Sequence, residues 1–190
     1  MGSTDDLAKG LAIKKDGKMF FVMESFFVSP GKGSAFFRTK LREIKTNKVV
    51  EHTFKSGESI DLLEAERKTA SFLYKKGDTF FFMDQESFEQ YEIPAEILPE
   101  RLILFLKEGL EVIILFAEGE IIDASLLKTK IAYEVIDAPP ALKGDSVSNS
   151  YRPVTIETGA KVSVPLFIKE GENIVINTET GEYAGREKGD

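Results

Sequence analysis

Short runs of alternating apolar and polar residues, broken by Gly, Pro and Asn, recur along all 190 residues of the chain. This period-two pattern predicts half-buried β-strands. In the first third it predicts a meander with strands over 12–15, 19–28, 35–44 and 49–54, and turns at Asp16-Gly17 and Thr46-Asn47. Between the two long strands lies Ser29-Pro30-Gly31-Lys32-Gly33-Ser34, which predicts a protruding hairpin with Lys32 at its tip. Proline fixes φ before the turn, while the flanking glycines permit positive φ and leave no side chain beside the lysine amine. The same alternation puts Arg38, Lys40 and Arg42 on one face of the return strand. Phe26, Phe27, Phe36 and Phe37 could stack on bases, but a small barrel needs such side chains inside, so they are expected in the core.

A second unit begins near Glu64-Ala65-Glu66-Arg67, with strands predicted over 69–74, 79–84, 88–93, 111–116 and 121–124 and one short helix over 99–107 ended by Gly109. Strands with a single helix inserted late are the pattern of an OB-type barrel. A third unit starts around Lys130, with strands over 131–135, 162–168 and 174–177 and a polar loop over 143–150. Lys76-Gly77-Asp78-Thr79 and Glu170-Gly171-Glu172-Asn173 each precede an apolar triplet, which suggests that the second and third units are barrels of one kind. No stretch is rich enough in Gly, Ser or Pro to form a long flexible linker.

Charge sharpens this picture. The net charge of −7 argues against indiscriminate coating of nucleic acid, yet residues 1–64 carry eleven Lys/Arg against nine Asp/Glu while the remainder carries fourteen against twenty-three. Within the first part, residues 28–56 hold seven cations and two carboxylates. A local basic face on an acidic body suits docking onto a specific phosphate-rich site, although an ordinary charged sheet face is the plainer alternative.

Much chemistry is excluded. The absence of cysteine removes disulfides and thiolate metal sites, and the single histidine, His52, is expected to face outward from its strand. Gly31-Lys32-Gly33-Ser34 lacks the upstream glycine of a Walker loop and leads into a strand. Carboxylates such as Glu118, Glu120 and Asp123 sit near a turn and are expected to be solvated surface. Nothing motivates an enzyme, a cofactor or a metal. No apolar run reaches membrane-spanning length and the first eleven residues lack the apolar core of a signal peptide, so a cytoplasmic protein is expected.

Two stretches carry a family likeness. Pro30-Gly31-Lys32-Gly33-Ser34-Ala35-Phe36 continuing through Arg38-Thr39-Lys40-Leu41, and the C-terminal Val164-Pro165-Leu166-Phe167-Ile168 with Thr178-Glu179-Thr180-Gly181-Glu182-Tyr183, resemble bacterial translation elongation factor P. That family is related to the hypusine-bearing translation factor of eukaryotes and archaea. The likeness runs through nearly the whole chain in order, including Tyr91-Glu92-Ile93-Pro94.

The resemblance implies an all-β fold of three small β-barrels in a row: a KOW or SH3-like domain over 1–64 and two OB folds over 65–128 and 129–190, with an elongated, tRNA-like outline. It implies a monomer that binds the ribosome between the peptidyl and exit sites, contacting ribosomal RNA and peptidyl-tRNA and relieving stalling at consecutive prolines. Lys32 falls on the position altered by a lysine-modifying enzyme in the family. Pro30, Gly31, Lys32, Gly33, Ser34, Arg38, Lys40 and Arg42 are the expected tRNA or ribosome contacts of the first domain, and Tyr183 and Arg186 match positions expected near the anticodon arm. One departure stands out: Ser148-Asn149-Ser150-Tyr151-Arg152-Pro153 replaces the usual Gly-Gly-Thr-Lys-Pro run, so that loop's contacts are not carried over. Rival readings are an elongation factor P-like paralogue and, from another class, a general OB-fold binder of single-stranded nucleic acid. The acidic second and third units disfavour the latter.

Overall fold

The computed structural model describes residues 2–140 and 151–187; the polar loop expected over 143–150 lies outside them. Among the described residues the chain is nearly all-β, with three sheets and one short α-helix. The first sheet contains β1 (Gly2–Ser3), β2 (Ala12–Lys15), β3 (Lys18–Val28), β4 (Phe36–Glu43), β5 (Val49–Lys55) and β6 (Ser59–Leu63), in the spatial order β1-β6-β2-β3-β4-β5. The second orders β7 (Ala65–Lys76), β8 (Thr79–Asp84), β9 (Gln90–Pro94), β10 (Glu111–Ala117) and β11 (Glu120–Leu126) as β11-β10-β7-β8-β9. The third orders β12 (Lys130–Asp137), β13 (Tyr151–Ile156), β14 (Lys161–Pro165), β15 (Asn173–Asn177) and β16 (Glu182–Arg186) as β14-β13-β12-β15-β16.

Two compact units emerge. One comprises residues 1–68 and 113–124, the other 69–112 and 125–190, so β7, β10 and β11 each contribute to both. In the first unit, the alternation expected of β3 and β4 sends Phe20, Val22, Phe37 and Leu41 into one core with Leu7, Ile13, Phe54 and Ile60. On the opposite side Ala12, Met19, Phe21 and Ile44 pack with Ala117 and Ile122. Each of these side chains larger than alanine, taken fully from water, stabilises the fold by roughly 1.5–3 kcal/mol. His52, expected to face outward, pairs with buried Thr39 and shares the inward parity of Val50 and Phe54. Its ring meets Phe54 edge-on at 4.4 Å.

In the second unit the core of the third sheet gathers Ile131, Tyr133, Val135, Val154, Ile156, Ile174 and Ile176 around Phe105. The helix α1 (Glu100–Phe105) is shorter than the predicted span, because Leu106 is already extended at φ −76° and ψ 126°. The Tyr133 hydroxyl donates to the Phe105 carbonyl at 2.6 Å, giving that terminal oxygen the partner it would otherwise find by continuing the helix. Gly77 and Gly171 both take positive φ just before β8 and β15, at 59° and 82°, which matches the turn likeness read from sequence.

Extra residues break the pairing at three instructive places. Val22 faces Leu41 but Glu24 faces Lys40, leaving Met23 unpaired. Val135 faces Ile156 and Asp137 faces Thr155, which leaves Ile136 outside the ladder and 48% exposed. In the third sheet Ile176 faces Tyr183 but Val175 faces Gly185, so Ala184 is extra. Each bulge inverts the inward-outward alternation beyond it.

Candidate functional site: a lysine finger and a cationic barrel edge

The last registered pair of β3 and β4 is Val28 with Phe36, and residues 29–35 run beyond it. Residues 29–34, including Lys32, are exposed. Gly33 has φ +109°, a region other residues rarely adopt, and a Cβ there would meet only Pro30 Cγ at 3.8 Å. Gly31 has no positive φ and open space around it. Backbone conformation therefore demands glycine on the C-terminal side of Lys32 only.

Below the tip, the outward face of the β3–β4–β5 ribbon forms three cross-strand rows. Val28, Phe36 and Lys55 make the first; Phe26, Arg38 and Thr53 the second; Glu24, Lys40 and Glu51 the third. Arg38 is exposed and has no carboxylate opposite it. Lys40 lies between two acids and approaches Glu24 at 4.0 Å. Of the three cations expected on this face, Arg38 thus offers the least compensated charge.

Arg42 departs from expectation. It shares the face, yet it is only 6% exposed, because Ala117 and Ile122 cover this end of the sheet. Its guanidinium donates to the Ile122 carbonyl and to Asn47 Oδ1, the latter at 3.2 Å, and lies 5.3 Å from the Phe21 ring centre. This side chain holds β4 to β11 and is not presented to a phosphate. Burial lowers its pKa, opposed by the charge of Asp123. Asp123 is likewise not a solvated carboxylate: burial pushes it up to about 6, against the Ala124 N–H, Arg42 and Lys9, which favour the ionised form.

Two of the phenylalanines also sit otherwise than expected. Phe37 is buried and Phe36 half-buried, but Phe26 and Phe27 are 59% and 58% exposed. Phe27 lies over Phe37 with ring centres 5.1 Å apart, on the inward side but past the edge of the core.

In the second unit, the extra Ala184 brings Tyr183 and Arg186 onto the same side of β16, opposite Ile176 and Ile174. Three residues apart, they would face opposite ways in a regular strand. Tyr183 packs against the core of the third sheet. Arg186 stands over the Phe167 ring at 4.7 Å and pairs with Glu172 at 3.4 Å. Arg152, the divergent residue of the third-domain run, turns inward: Nη1 donates to the Pro139 carbonyl at 2.7 Å and Nη2 to that of Ile168 at 2.5 Å. Sequence could not have revealed that clamp, since its acceptors are main-chain oxygens. Among the described residues no group of three or more His, Asp or Glu could hold a metal ion, and no helix is long and apolar enough to cross a membrane.

Comparison with known proteins agrees with this organisation. Residues 3–60 match the elongation factor P KOW-like domain, residues 65–124 its OB domain and residues 131–186 its C-terminal domain. The elongation factor P of Microcystis aeruginosa is 43% identical over 187 residues, covering 98% of this chain and all of that one. That of an Exiguobacterium species is 43% identical over 190 residues and covers both chains completely. Among solved structures, translation initiation factor 5A from Methanococcus jannaschii aligns over 67% of this chain and 91% of its own, at 23% identity and a TM-score of 0.46. With all three domain models matched in order and relatives above 40% identity across the whole length, the chain belongs to the elongation factor P family of translation factors.

Proposed function

We propose that the protein enters the ribosome between the peptidyl and exit sites, where its Lys32 finger reaches the acceptor end of the peptidyl-tRNA and relieves stalling at consecutive prolines. The observation that carries this reading is the finger: an exposed lysine midway along the seven residues beyond the last strand pair, above a row whose arginine has no acid across from it. Proline restricts both its own φ and its neighbour's backbone, so the geometry for attack is seldom reached. Peptide-bond formation that relies on positioning is then slow, and holding the acceptor end in register raises the productive fraction without an acid or base from the factor.

In this reading a modifying enzyme extends Lys32, and the open space at Gly31 leaves room for its approach. Pro30, Gly31, Gly33 and Ser34 shape the contact at the tip, Arg38 takes a backbone phosphate, and Lys40 contributes less because Glu24 and Glu51 flank it. Arg42 is omitted, being committed inside the unit. Tyr183 and Arg186 serve the anticodon arm from the third domain. The domains span 1–64, 65–128 and 129–190, and the factor works as a cytoplasmic monomer. Lys32→Ala should leave the circular dichroism spectrum and melting unchanged and abolish rescue of a polyproline reporter. Full rescue by that variant rejects the assignment.

A further inference from the structure

We infer that Phe26 is a stacking platform for one unpaired RNA base, with Arg38 beside it taking the phosphate of the same nucleotide. This rests on the ribosomal reading above and adds a contact separate from Lys32. The extra Met23 is what creates the platform. Phe21 and Phe26 are five residues apart and would face opposite sides of a regular strand, but the bulge sets Phe26 opposite Arg38 just as Phe21 is opposite Arg42. At the Phe21 end this face is closed by Ala117 and Ile122. At the Phe26 end it is open, leaving the ring 59% exposed with half-buried Phe36 and Val28 in the next row.

The composition of those two rows selects the occupant. They contain aromatic and aliphatic carbon, Thr53, and the cations Arg38 and Lys55, while the carboxylates Glu24 and Glu51 are confined to the third row. A flat apolar ring flanked by cations matches a nucleotide, whose base offers a π-face and whose phosphate offers a negative charge. An aliphatic protein partner would gain nothing from the cations, and an acidic peptide nothing from the ring.

The chain contains no tryptophan, so Phe26→Trp in the full-length, host-modified protein places its single indole at the platform. Four chains would be titrated with ribosomes carrying a prolyl-ended peptidyl-tRNA: wild type, Phe26→Leu, Phe26→Trp and Phe88→Leu. Phe88 is a more exposed ring, at 71%, and serves as the control. Phe26→Leu keeps apolar area but not the π-face and should weaken binding about tenfold or more, with an unchanged salt dependence because no phosphate contact is lost. Phe26→Trp should bind as wild type with its emission quenched on binding, and Phe88→Leu should bind as wild type. Binding by Phe26→Leu within twofold of wild type, or unquenched emission from bound Phe26→Trp, overturns the inference. So does a Phe26→Leu chain that binds normally yet leaves the host without its Lys32 adduct by intact mass, which would assign the surface to the modifying enzyme. Lys32→Ala separates the two readings: if it still relieves proline stalling, the proposed function fails; if it does not while Phe26→Leu binds normally, only the platform fails.

Discussion

Replacing Asp123 by Asn should remove a pH dependence built into the first unit. Burial pushes the Asp123 carboxyl up to about 6 from an ordinary value of 3.8. The folded state therefore holds a proton there that the unfolded chain has already released between about pH 4 and pH 6. Stability from this group is fully present below the unfolded value and is lost as pH rises through the folded one. A shift of that size corresponds to at most about 3 kcal/mol, and because the side chain is only partly shielded from water, about 1–3 kcal/mol is the expected range. Asn stands in for the protonated acid without a titration. The assay is native-state hydrogen exchange at the β4 amides of Thr39 and Leu41, comparing wild type and Asp123→Asn at each pH so that the intrinsic exchange rate cancels. The two should match at pH 4, and at pH 8 the wild type should exchange faster, by about fivefold to a hundredfold. Parallel behaviour from pH 4 to 8, or a wild type that gains protection relative to the variant, would refute the reasoning.

Tyr133→Phe removes the donor to the Phe105 carbonyl and should destabilise the second unit by about 1–3 kcal/mol in urea unfolding, because a buried acceptor is left unpaired. Gly33→Ala forces a side chain into φ +109°, which carries a penalty of roughly 1–3 kcal/mol in the finger. Rescue of a polyproline reporter should fall further for Gly33→Ala than for Gly31→Ala, where neither φ nor a neighbouring atom of the chain opposes a Cβ. Equal rescue by both would show that the tip does not need its observed conformation.

The strands and the Lys32 hairpin were legible because they rest on local signals: period-two alternation, turn residues, and proline and glycine at the tip. What escaped was set by parity and by cover. Nothing in Val22-Met23-Glu24 announces an extra residue, so Phe26 reads as core until the register is known. Arg42 and Asp123 read as surface because β4 and β11 cover one another from some 80 residues apart in the chain, and sequence does not say which sheet faces will meet. Arg152 similarly finds its acceptors in main-chain oxygens of two separate segments, Ala138-Pro139 and Ile168.

The third domain carries its own lesson in counting. Because Ala184 stands outside the ladder between β15 and β16, the common side of Tyr183 and Arg186 depends on that residue staying unpaired, which their spacing in the sequence does not report. Deleting Ala184 would leave Tyr183 and Arg186 two residues apart and still opposite Ile176 and Ile174 in a regular ladder, whereas drawing Ala184 into the pairing would swing the guanidinium to the other side of the strand, away from the ring of Phe167 and the carboxylate of Glu172. Both residues would survive in the sequence, and the two-residue motif would still be recognised by eye, while the molecule had lost it.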